Sequence, residues 1–183
     1  MILRKLKEST REQHEAVESA VDVMNRMFTL DDYKALIGRF RKFYAAYEPT
    51  LPIKELRDAG FDYNTRRKLP SLNADAEVLG ITGEESFDEL PTISTLAKAF
   101  GSLYVIEGST LGGQVISRHL KEHLGITPEN GGAFFNSYGS DVGRMWKEFG
   151  EAITNFSGDG NADREIIQGA TETFDSIRKC VGK

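Results

Sequence analysis

The spacing of apolar residues is the feature that most constrains how this chain can fold. It repeats every three or four residues, clearest over Tyr33, Leu36, Ile37, Phe40, Phe43, Tyr44 and Tyr47. This is the period of an α-helix with one buried face. No stretch of useful length alternates apolar and polar residues as a half-buried strand would. The sequence therefore predicts an all-α protein.

The boundaries of several helices can also be predicted. Thr29-Leu30-Asp31-Asp32 is typical of a helix amino terminus, and Pro49 and Pro52 are expected to end that helix. Residues Ile53 to Arg57 can continue helically beyond the break, and Gly60 to Pro91 is the irregular part of the chain. Further helices are predicted over Ser71–Leu79, Thr92–Leu124, Ser140–Phe156 and Ala162–Val181, with a turn over Ser157–Asn161.

Length, charge and cysteine content limit the class of protein. With 183 residues and 39% hydrophobic content, the chain suits one domain over residues 1–183. A net charge of −5 argues against nucleic acid or an anionic membrane as the main partner, because phosphate binding needs a basic surface. A single cysteine, Cys180, fits a reducing compartment. Because no targeting signal or hydrophobic anchor is evident, we expect a soluble, cytoplasmic protein.

The first predicted helix carries a histidine where an aliphatic residue would be expected. His14 lies on the apolar stripe formed by Leu3, Leu6, Thr10, Val17 and Val21. Glu18, one turn further, can accept a hydrogen bond from one imidazole nitrogen and leave the other free to bind a metal. Lys7 and Arg11 lie within two turns of His14. Such a surface would suit a flat, hydrophobic ligand with an iron and peripheral carboxylates, and heme is one.

The same residues also have a purely structural interpretation. A histidine on an apolar stripe can be a core residue that bonds a carbonyl group. Lys7 and Arg11 can be ordinary solvated charges on the flank of a helix. The choice between the two interpretations depends on the rest of the chain.

Four glycines inside the helix predicted over Thr92–Leu124 are the second anomaly. They are Gly101, Gly108, Gly112 and Gly113. Each costs about 0.5–1 kcal/mol relative to alanine in a helix interior, so the group needs a purpose. Gly108 and Gly112 share a face, where missing side chains would let a flat ligand approach the backbone and let the helix bend. Close packing against another helix is the structural alternative.

Other glycine-rich motifs do not fit this segment. Gln114-Val115 stand where a phosphate-binding P-loop needs lysine and serine or threonine. The dinucleotide-binding pattern G-x-G-x-x-G is absent from the sequence, and no strand is predicted before the glycines. Glu107 lies in the middle of the run among hydroxyl and amide neighbours, which argues against a membrane span.

Two motifs resemble the heme oxygenases, especially the short bacterial ones found with bacteriophytochromes. They are Leu-Lys-Glu-x-Thr-x-x-x-His-x-x-x-Glu over Leu6–Glu18 and Gly-Ser-x-Leu-Gly-Gly-Gln-Val over Gly108–Val115. Their order and wide separation make the pair more specific than either motif alone. The resemblance extends over most of the chain. It implies a multi-helical bundle in which heme lies between a proximal helix and a kinked distal helix.

The resemblance also implies roles for particular residues. His14 corresponds to the proximal iron ligand, and Glu18 to the residue that hydrogen-bonds its outer ring nitrogen. Gly108, Gly112 and Gly113 correspond to glycines of the distal helix, which let its backbone approach the heme and favour attack at one meso edge.

Five further residues are assigned to the heme environment by the same resemblance. Lys7 and Arg11 correspond to basic positions near the heme propionates. Tyr138 and Arg144, around the start of the next predicted helix, are also expected to contact propionates. Phe174 corresponds to an aromatic residue that flanks the pocket.

Ser109 departs from the pattern of the animal enzymes. Those enzymes carry an aspartate directly after the glycine that corresponds to Gly108, and it orders distal water. A serine hydroxyl can hold a water molecule but cannot supply a charge. The phytochrome-linked enzymes that this chain resembles often lack the aspartate too.

The reaction implied by the resemblance is O2-dependent cleavage of heme b to biliverdin, carbon monoxide and ferrous iron. Heme is then both substrate and cofactor. Because the sequence shows no flavin or iron–sulfur motif, an external reductant is needed, and a ferredoxin or flavoprotein reductase is the expected partner. A non-degrading heme-binding carrier or sensor with the same fold is the alternative, favoured by Ser109. A cofactor-free helical interaction protein is a third hypothesis.

Overall fold

The computed structural model describes residues 1–83, 86–158 and 160–182. Within these ranges the regular secondary structure is entirely helical, which confirms the predicted all-α class. The α-helices are α1 Ile2–Ser9, α2 Arg11–Val21, α3 Leu30–Tyr47, α4 Ile53–Asp58, α5 Leu69–Leu79, α6 Leu96–Leu124, α7 Ala133–Asn136, α8 Val142–Phe156 and α9 Gly160–Val181. Short 3-10 helices cover Glu48–Thr50, Tyr63–Arg66 and Gly139–Asp141.

Helix α3 begins and ends where the sequence predicts. The Thr29 hydroxyl accepts a hydrogen bond from the Asp32 backbone N–H at 3.2 Å, and the Asp32 carboxylate accepts one from the Thr29 N–H at 2.9 Å. This reciprocal cap satisfies two backbone donors that the first turn would leave unpaired. The aromatic stripe of α3 is buried in the core. Pro49 lies in the 3-10 helix that follows α3, and α4 begins directly after Pro52.

The prediction of one continuous first helix across Leu6–Glu18 is wrong. The chain forms two helices that meet at Thr10, whose backbone angles are φ −115° and ψ 14°. The Thr10 hydroxyl donates to the Leu6 carbonyl oxygen at 2.8 Å, a local bond that competes with regular helix geometry. As a result Leu6 and Thr10 are buried, whereas His14 on the next helix is exposed.

Helices α6 and α9 touch backbone to backbone. A Cβ atom added to Gly101 would lie 1.8 Å from the Ile166 carbonyl oxygen, and one added to Gly169 would lie 2.3 Å from the Lys98 carbonyl oxygen. Real atoms cannot approach so closely, so both positions require glycine. Close packing against another helix, the structural alternative for the glycines, therefore accounts for Gly101.

The same two helices run parallel. Three hydrogen-bonded pairs join them at sequence offsets of 70 to 74 residues: Thr95 with Glu165, Lys98 with Glu172, and Ser102 with Thr173. Most other helices pack on this pair, since α1, α2 and α3 contact α9, and α4, α7 and α8 contact α6. The α6–α9 pair is therefore the centre of the fold. Among the described residues, no helix is long and apolar enough to cross a bilayer.

The short helix α7 is an element that the sequence analysis does not predict. The buried Asp75 of α5 accepts hydrogen bonds from the backbone N–H groups of Ala133 and Phe134 at 2.9 and 2.8 Å. Burial raises the pKa of this carboxyl group, although the two N–H donors oppose the rise. Asp75 thereby caps a four-residue helix that has little intrinsic stability of its own.

Replacing Gly101 with alanine is expected to destabilise the protein by at least about 2 kcal/mol, because the new methyl group meets α9 backbone that cannot rotate away. Urea unfolding followed by circular dichroism measures the change. Gly112→Ala on the same helix is the matched control: nothing lies within 4 Å of its added Cβ, so a gain of about 0.5–1 kcal/mol is expected. Equal unfolding midpoints for both variants would contradict the close α6–α9 contact.

Candidate functional site

His14 presents an accessible imidazole on α2. Its side chain is 57% exposed, and its Nε2 atom lies 3.5 Å from a Glu18 carboxylate oxygen. That distance is longer than a normal hydrogen bond but shows the carboxylate beside the ring, where the sequence predicts it. The ring of Phe174 meets the imidazole edge-on, with centroids 5.7 Å apart. The predicted neighbours of His14 are thus both present.

Helix α9 relates His14 to the glycines of α6. Phe174, which touches His14, follows directly after Thr173, whose hydroxyl donates to the Ser102 hydroxyl of α6 at 2.8 Å. His14 is therefore supported on α9 at the level of Ser102. Gly108 comes six residues later on α6, about 9 Å along the helix axis. The exposed imidazole and the glycines are in this way held on one support.

Gly108 and Gly112 lie on a face of α6 that has space in front of it. An added Cβ at Gly112 would meet nothing within 4 Å, and one at Gly108 would meet the Trp146 ring at 3.6 Å. Two apolar neighbours on this helix, Leu111 and Val115, are 41% and 54% exposed. We call the strip formed by Gly108, Leu111, Gly112 and Val115 the glycine face. It is an apolar surface with few side chains.

Gly113 has a different environment from Gly108 and Gly112. A Cβ on Gly113 would lie 2.7 Å from the Phe135 carbonyl oxygen of α7. The residue is buried by this contact, and the neighbouring Gln114 side chain donates to the Asn136 carbonyl oxygen at 2.7 Å. The close packing of α6 against α7 therefore explains why residue 113 is a glycine. The ligand-facing role expected for Gly113 stays a prediction.

Ser109 lies exposed beside the glycine face. Its hydroxyl donates to the Ile106 carbonyl oxygen at 2.7 Å. Because its one proton is used in that bond, the oxygen is left to accept hydrogen bonds from water or ligand.

The basic residues assigned to propionates lie at the protein surface. Lys7 and Arg11 are exposed on α1 and α2, and an Arg11 nitrogen is 3.8 Å from a Glu15 carboxylate oxygen. Arg144 is exposed on α8 and pairs with Glu148 at 2.7 Å. Arg11 and Arg144 can exchange these exposed partners for another carboxylate at small cost. Their role at the propionates stays a prediction.

Tyr138 takes part in a buried charge cluster beneath the glycine face. Its hydroxyl donates to the Glu107 carboxylate at 2.9 Å and accepts a hydrogen bond from the Lys68 ammonium at 2.5 Å. Arg66 donates to the same carboxylate at 2.7 Å. We call these four residues the Glu107 cluster. Contact of Tyr138 with a propionate, as the resemblance implies, stays a prediction and would have to coexist with these bonds.

Burial shifts the pKa of two members of the Glu107 cluster, Lys68 and Tyr138. Desolvation lowers the pKa of the Lys68 ammonium, and the adjacent Glu107 carboxylate opposes that shift. Desolvation also raises the pKa of the Tyr138 hydroxyl, and Glu107 adds to the effect. Tyr138 is therefore a neutral hydrogen-bond donor at physiological pH.

Sequence reasoning missed the Glu107 cluster and the position of Trp146. Glu107 is noticed in the sequence as a charge inside an apolar run, but only as evidence against a membrane span. Its cationic partners Arg66 and Lys68 come from the segment Gly60–Pro91, which the sequence analysis treats as irregular. The sequence assigns Trp146 no role beyond its place in the helix predicted over Ser140–Phe156.

A cavity of about 440 Å³ lies at the carboxyl-terminal end of α2. Its apolar lining includes Ala20, Val21, Phe28 and Leu36. The surface formed by His14 and the glycine face is an exposed one, whereas this cavity adjoins the last turn of α2. The two features are distinct, and the chemistry-bearing residues belong to the first.

The residues of the candidate site fit a heme. An accessible imidazole can ligate iron through one ring nitrogen while Glu18 stands near the other. The glycine face offers the flat, apolar surface that a porphyrin ring requires, since nothing occupies the position of a Gly112 side chain. Phe174 adds an aromatic edge beside the imidazole.

Comparison with known proteins agrees with this fit. A family model described as heme oxygenase matches residues 83–183. A heme oxygenase of Xanthomonas campestris pv. campestris (strain 8004) is 30% identical over 152 residues, which cover 82% of this chain and 89% of that protein.

Two solved structures share the fold. The NO- and CO-bound heme oxygenase of Neisseria meningitidis superposes with a TM-score of 0.83 and 23% identity, and the match covers 99% of this chain and 90% of that one. The heme oxygenase of Leptospira interrogans gives a TM-score of 0.76 and 15% identity, with 98% of both chains covered. From the matching family model and the curated relative, the chain belongs to the heme oxygenase family.

Proposed function

We propose that this protein cleaves heme with O2 to biliverdin, carbon monoxide and ferrous iron, and that His14 is its iron ligand. The observation that carries the proposal is that an exposed imidazole on α2 and the open glycine face of α6 belong to two helices that both pack on α9. Heme would supply the iron at which O2 is bound and reduced.

The residues around His14 prepare it as a ligand. With heme bound, Glu18 would accept a hydrogen bond from the ring nitrogen beside it, which would fix the tautomer and leave a lone pair on the other nitrogen. The edge of the Phe174 ring limits rotation of the imidazole. A carboxylate in this position also strengthens the bond between an imidazole and iron. Glu18 and Phe174 are positioning residues in this proposal.

The glycine face and Ser109 form the opposite wall. Gly108 and Gly112 let the α6 backbone approach the porphyrin, and the Trp146 ring beside Gly108 bounds the wall on one side. The Ser109 oxygen would accept a hydrogen bond from distal water, because its own proton is donated to the Ile106 carbonyl oxygen. Lys7, Arg11 and Arg144 are free to turn toward the two propionates and orient the ring.

Electrons must come from outside the chain, so a ferredoxin or flavoprotein reductase is the proposed partner and O2 the co-substrate. We further propose that residues 1–183 form one domain, because the buried core draws on helices from both ends of the chain. A reducing, cytoplasmic setting is proposed from the single cysteine, Cys180. Burial raises the pKa of its thiol and keeps it unreactive.

His14→Ala is expected to abolish or shift the Soret band formed when hemin is added to the purified protein, because the iron loses its protein ligand. Absorption titration measures both the band and the affinity. His123→Ala is the matched control, since His123 is an exposed histidine at the far end of α6 and should leave the spectrum unchanged. An unaltered band in His14→Ala would remove His14 from the site.

The alternative function is a carrier or sensor that binds heme without degrading it. Ser109 favours this alternative, because its hydroxyl cannot provide a charge on the distal side of the heme. Hemin-loaded protein supplied with ascorbate or a reductase in air distinguishes the two functions. A heme oxygenase loses its Soret band while biliverdin absorption grows. A carrier or sensor keeps its heme spectrum.

Ser109→Ala is expected to slow biliverdin formation about fivefold, which corresponds to one hydrogen bond of about 1 kcal/mol to distal water. Heme affinity should change little, because the hydroxyl does not contact the iron ligand. Single-turnover absorption kinetics at saturating heme measures the rate. Equal rates for the variant and the natural protein would show that the hydroxyl orders no water needed for turnover.

A further inference from the structure

Glu107 directly precedes Gly108 in α6, and its carboxylate is fully buried. Its side chain has no exposed surface, and it pairs with Arg66 at 2.7 Å and Lys68 at 2.9 Å. The Tyr138 hydroxyl lies 2.9 and 3.0 Å from its two oxygens. The partners come from separate segments: Arg66 ends a 3-10 helix, Lys68 precedes α5, and Tyr138 follows α7. Glu107 therefore ties α6 to three other parts of the chain.

Arg66 extends these ties to α8. The nitrogen that binds Glu107 also donates to the Met145 carbonyl oxygen at 3.0 Å, and the other terminal nitrogen pairs with Glu148 at 3.0 Å. The guanidinium is itself buried, and the Phe61 ring lies beneath it at 4.7 Å. A planar group with fixed donors is suited to joining two helices in one geometry.

The next residue of α8 bounds the glycine face. Trp146 follows Met145, and its ring lies 3.6 Å from the position of a Cβ on Gly108. Gly108 in turn follows Glu107. Two of the three partners of Arg66, Glu107 and Met145, are thus each next in the chain to one of the two groups that meet at the glycine face. A shift in the Arg66–Glu107 pair would change the spacing between Gly108 and Trp146.

We propose that Arg66 and Glu107 are positioning residues that set the spacing of Gly108 and Trp146, and that this spacing determines which meso carbon of heme is cleaved. The second half rests on the proposed function. A buried carboxylate with charged partners resists displacement, because any movement leaves a charge unpaired away from water. The pair therefore fixes the rotation of α6 about its own axis. Apolar contacts, which have no direction, would do so less strictly.

Glu107→Gln is the first test. The amide keeps the shape of the side chain but removes its charge. Trp146 is the single tryptophan of the chain, so its fluorescence reports on this wall in the heme-free protein. We expect a red-shifted emission maximum and stronger quenching by acrylamide. With heme and reductant, chromatography of the products should show altered proportions of the biliverdin isomers.

Glu172→Gln is the matched control. Glu172 pairs with Lys98 of the same helix α6 at 3.1 Å, but near its start and toward α9. This variant should keep both the natural Trp146 emission and the natural isomer proportions. If it changed them as much as Glu107→Gln does, the effect would be general loosening of α6 and the proposal would be overturned.

Arg66→Lys provides a second variant in case Glu107→Gln does not fold. Lysine retains the charge toward Glu107 but cannot reach Glu107, Met145 and Glu148 together. The expected results are again a shifted Trp146 emission and altered isomer proportions. Natural values of both in Arg66→Lys would overturn the proposal.

The readouts separate the two halves of the inference. Unchanged Trp146 emission in folded Glu107→Gln would overturn the positioning role. A shifted emission with unchanged isomers would overturn the link to the cleavage position. If the natural protein bound or cleaved no heme, the proposed function would fail and the isomer half with it, whereas the fluorescence would still decide the positioning half.

Discussion

The arrangement of this protein depends on the direct contact between the backbones of α6 and α9. It is possible because Gly101 and Gly169 have no side chains where the two helices cross. Because the two helices are parallel and so close, the residues that follow the contact on α6 lie at the same level as those that follow it on α9. On α9 that residue is Phe174, which supports His14, and on α6 it is the stretch that begins at Gly108. Both the imidazole and the glycine face are therefore positioned relative to α9 by a contact outside the site itself.

The glycines of α6 show how one residue type can serve different physical purposes within a single helix. Gly101 and Gly113 are required by neighbouring backbone, that of α9 and that of α7. Gly108 and Gly112 have no such neighbour, so steric need within the protein does not explain the stability that they cost the helix. Glycines that weaken a helix without a packing reason are expected at a functional surface. This contrast supports a ligand-facing role for the second pair.

The Glu107 cluster supplies a different kind of constraint from the glycine contacts. Glycine contacts determine how closely two helices approach, because van der Waals repulsion is steep at short range. Hydrogen-bonded charges determine direction as well, because each donor must point at its acceptor. In this protein the close approach to α9 is at Gly101, before the glycine face along α6. The directed contacts are those of Glu107, which directly precedes Gly108. Together they keep neighbouring backbone away from Gly108 and Gly112 and hold α6 against rotation.

The sequence by itself determined the helical class, the α3 cap and the limits of the long helices, because these follow from local periodicity and turn chemistry. It also identified His14 and the four glycines of α6 as anomalies, since each departs from what a plain helix needs. Only the tertiary structure decided which glycines pack and that Arg66 and Lys68 meet Glu107. These outcomes depend on contacts between residues far apart in the chain, and the spacing of residues within one segment carries no information about them.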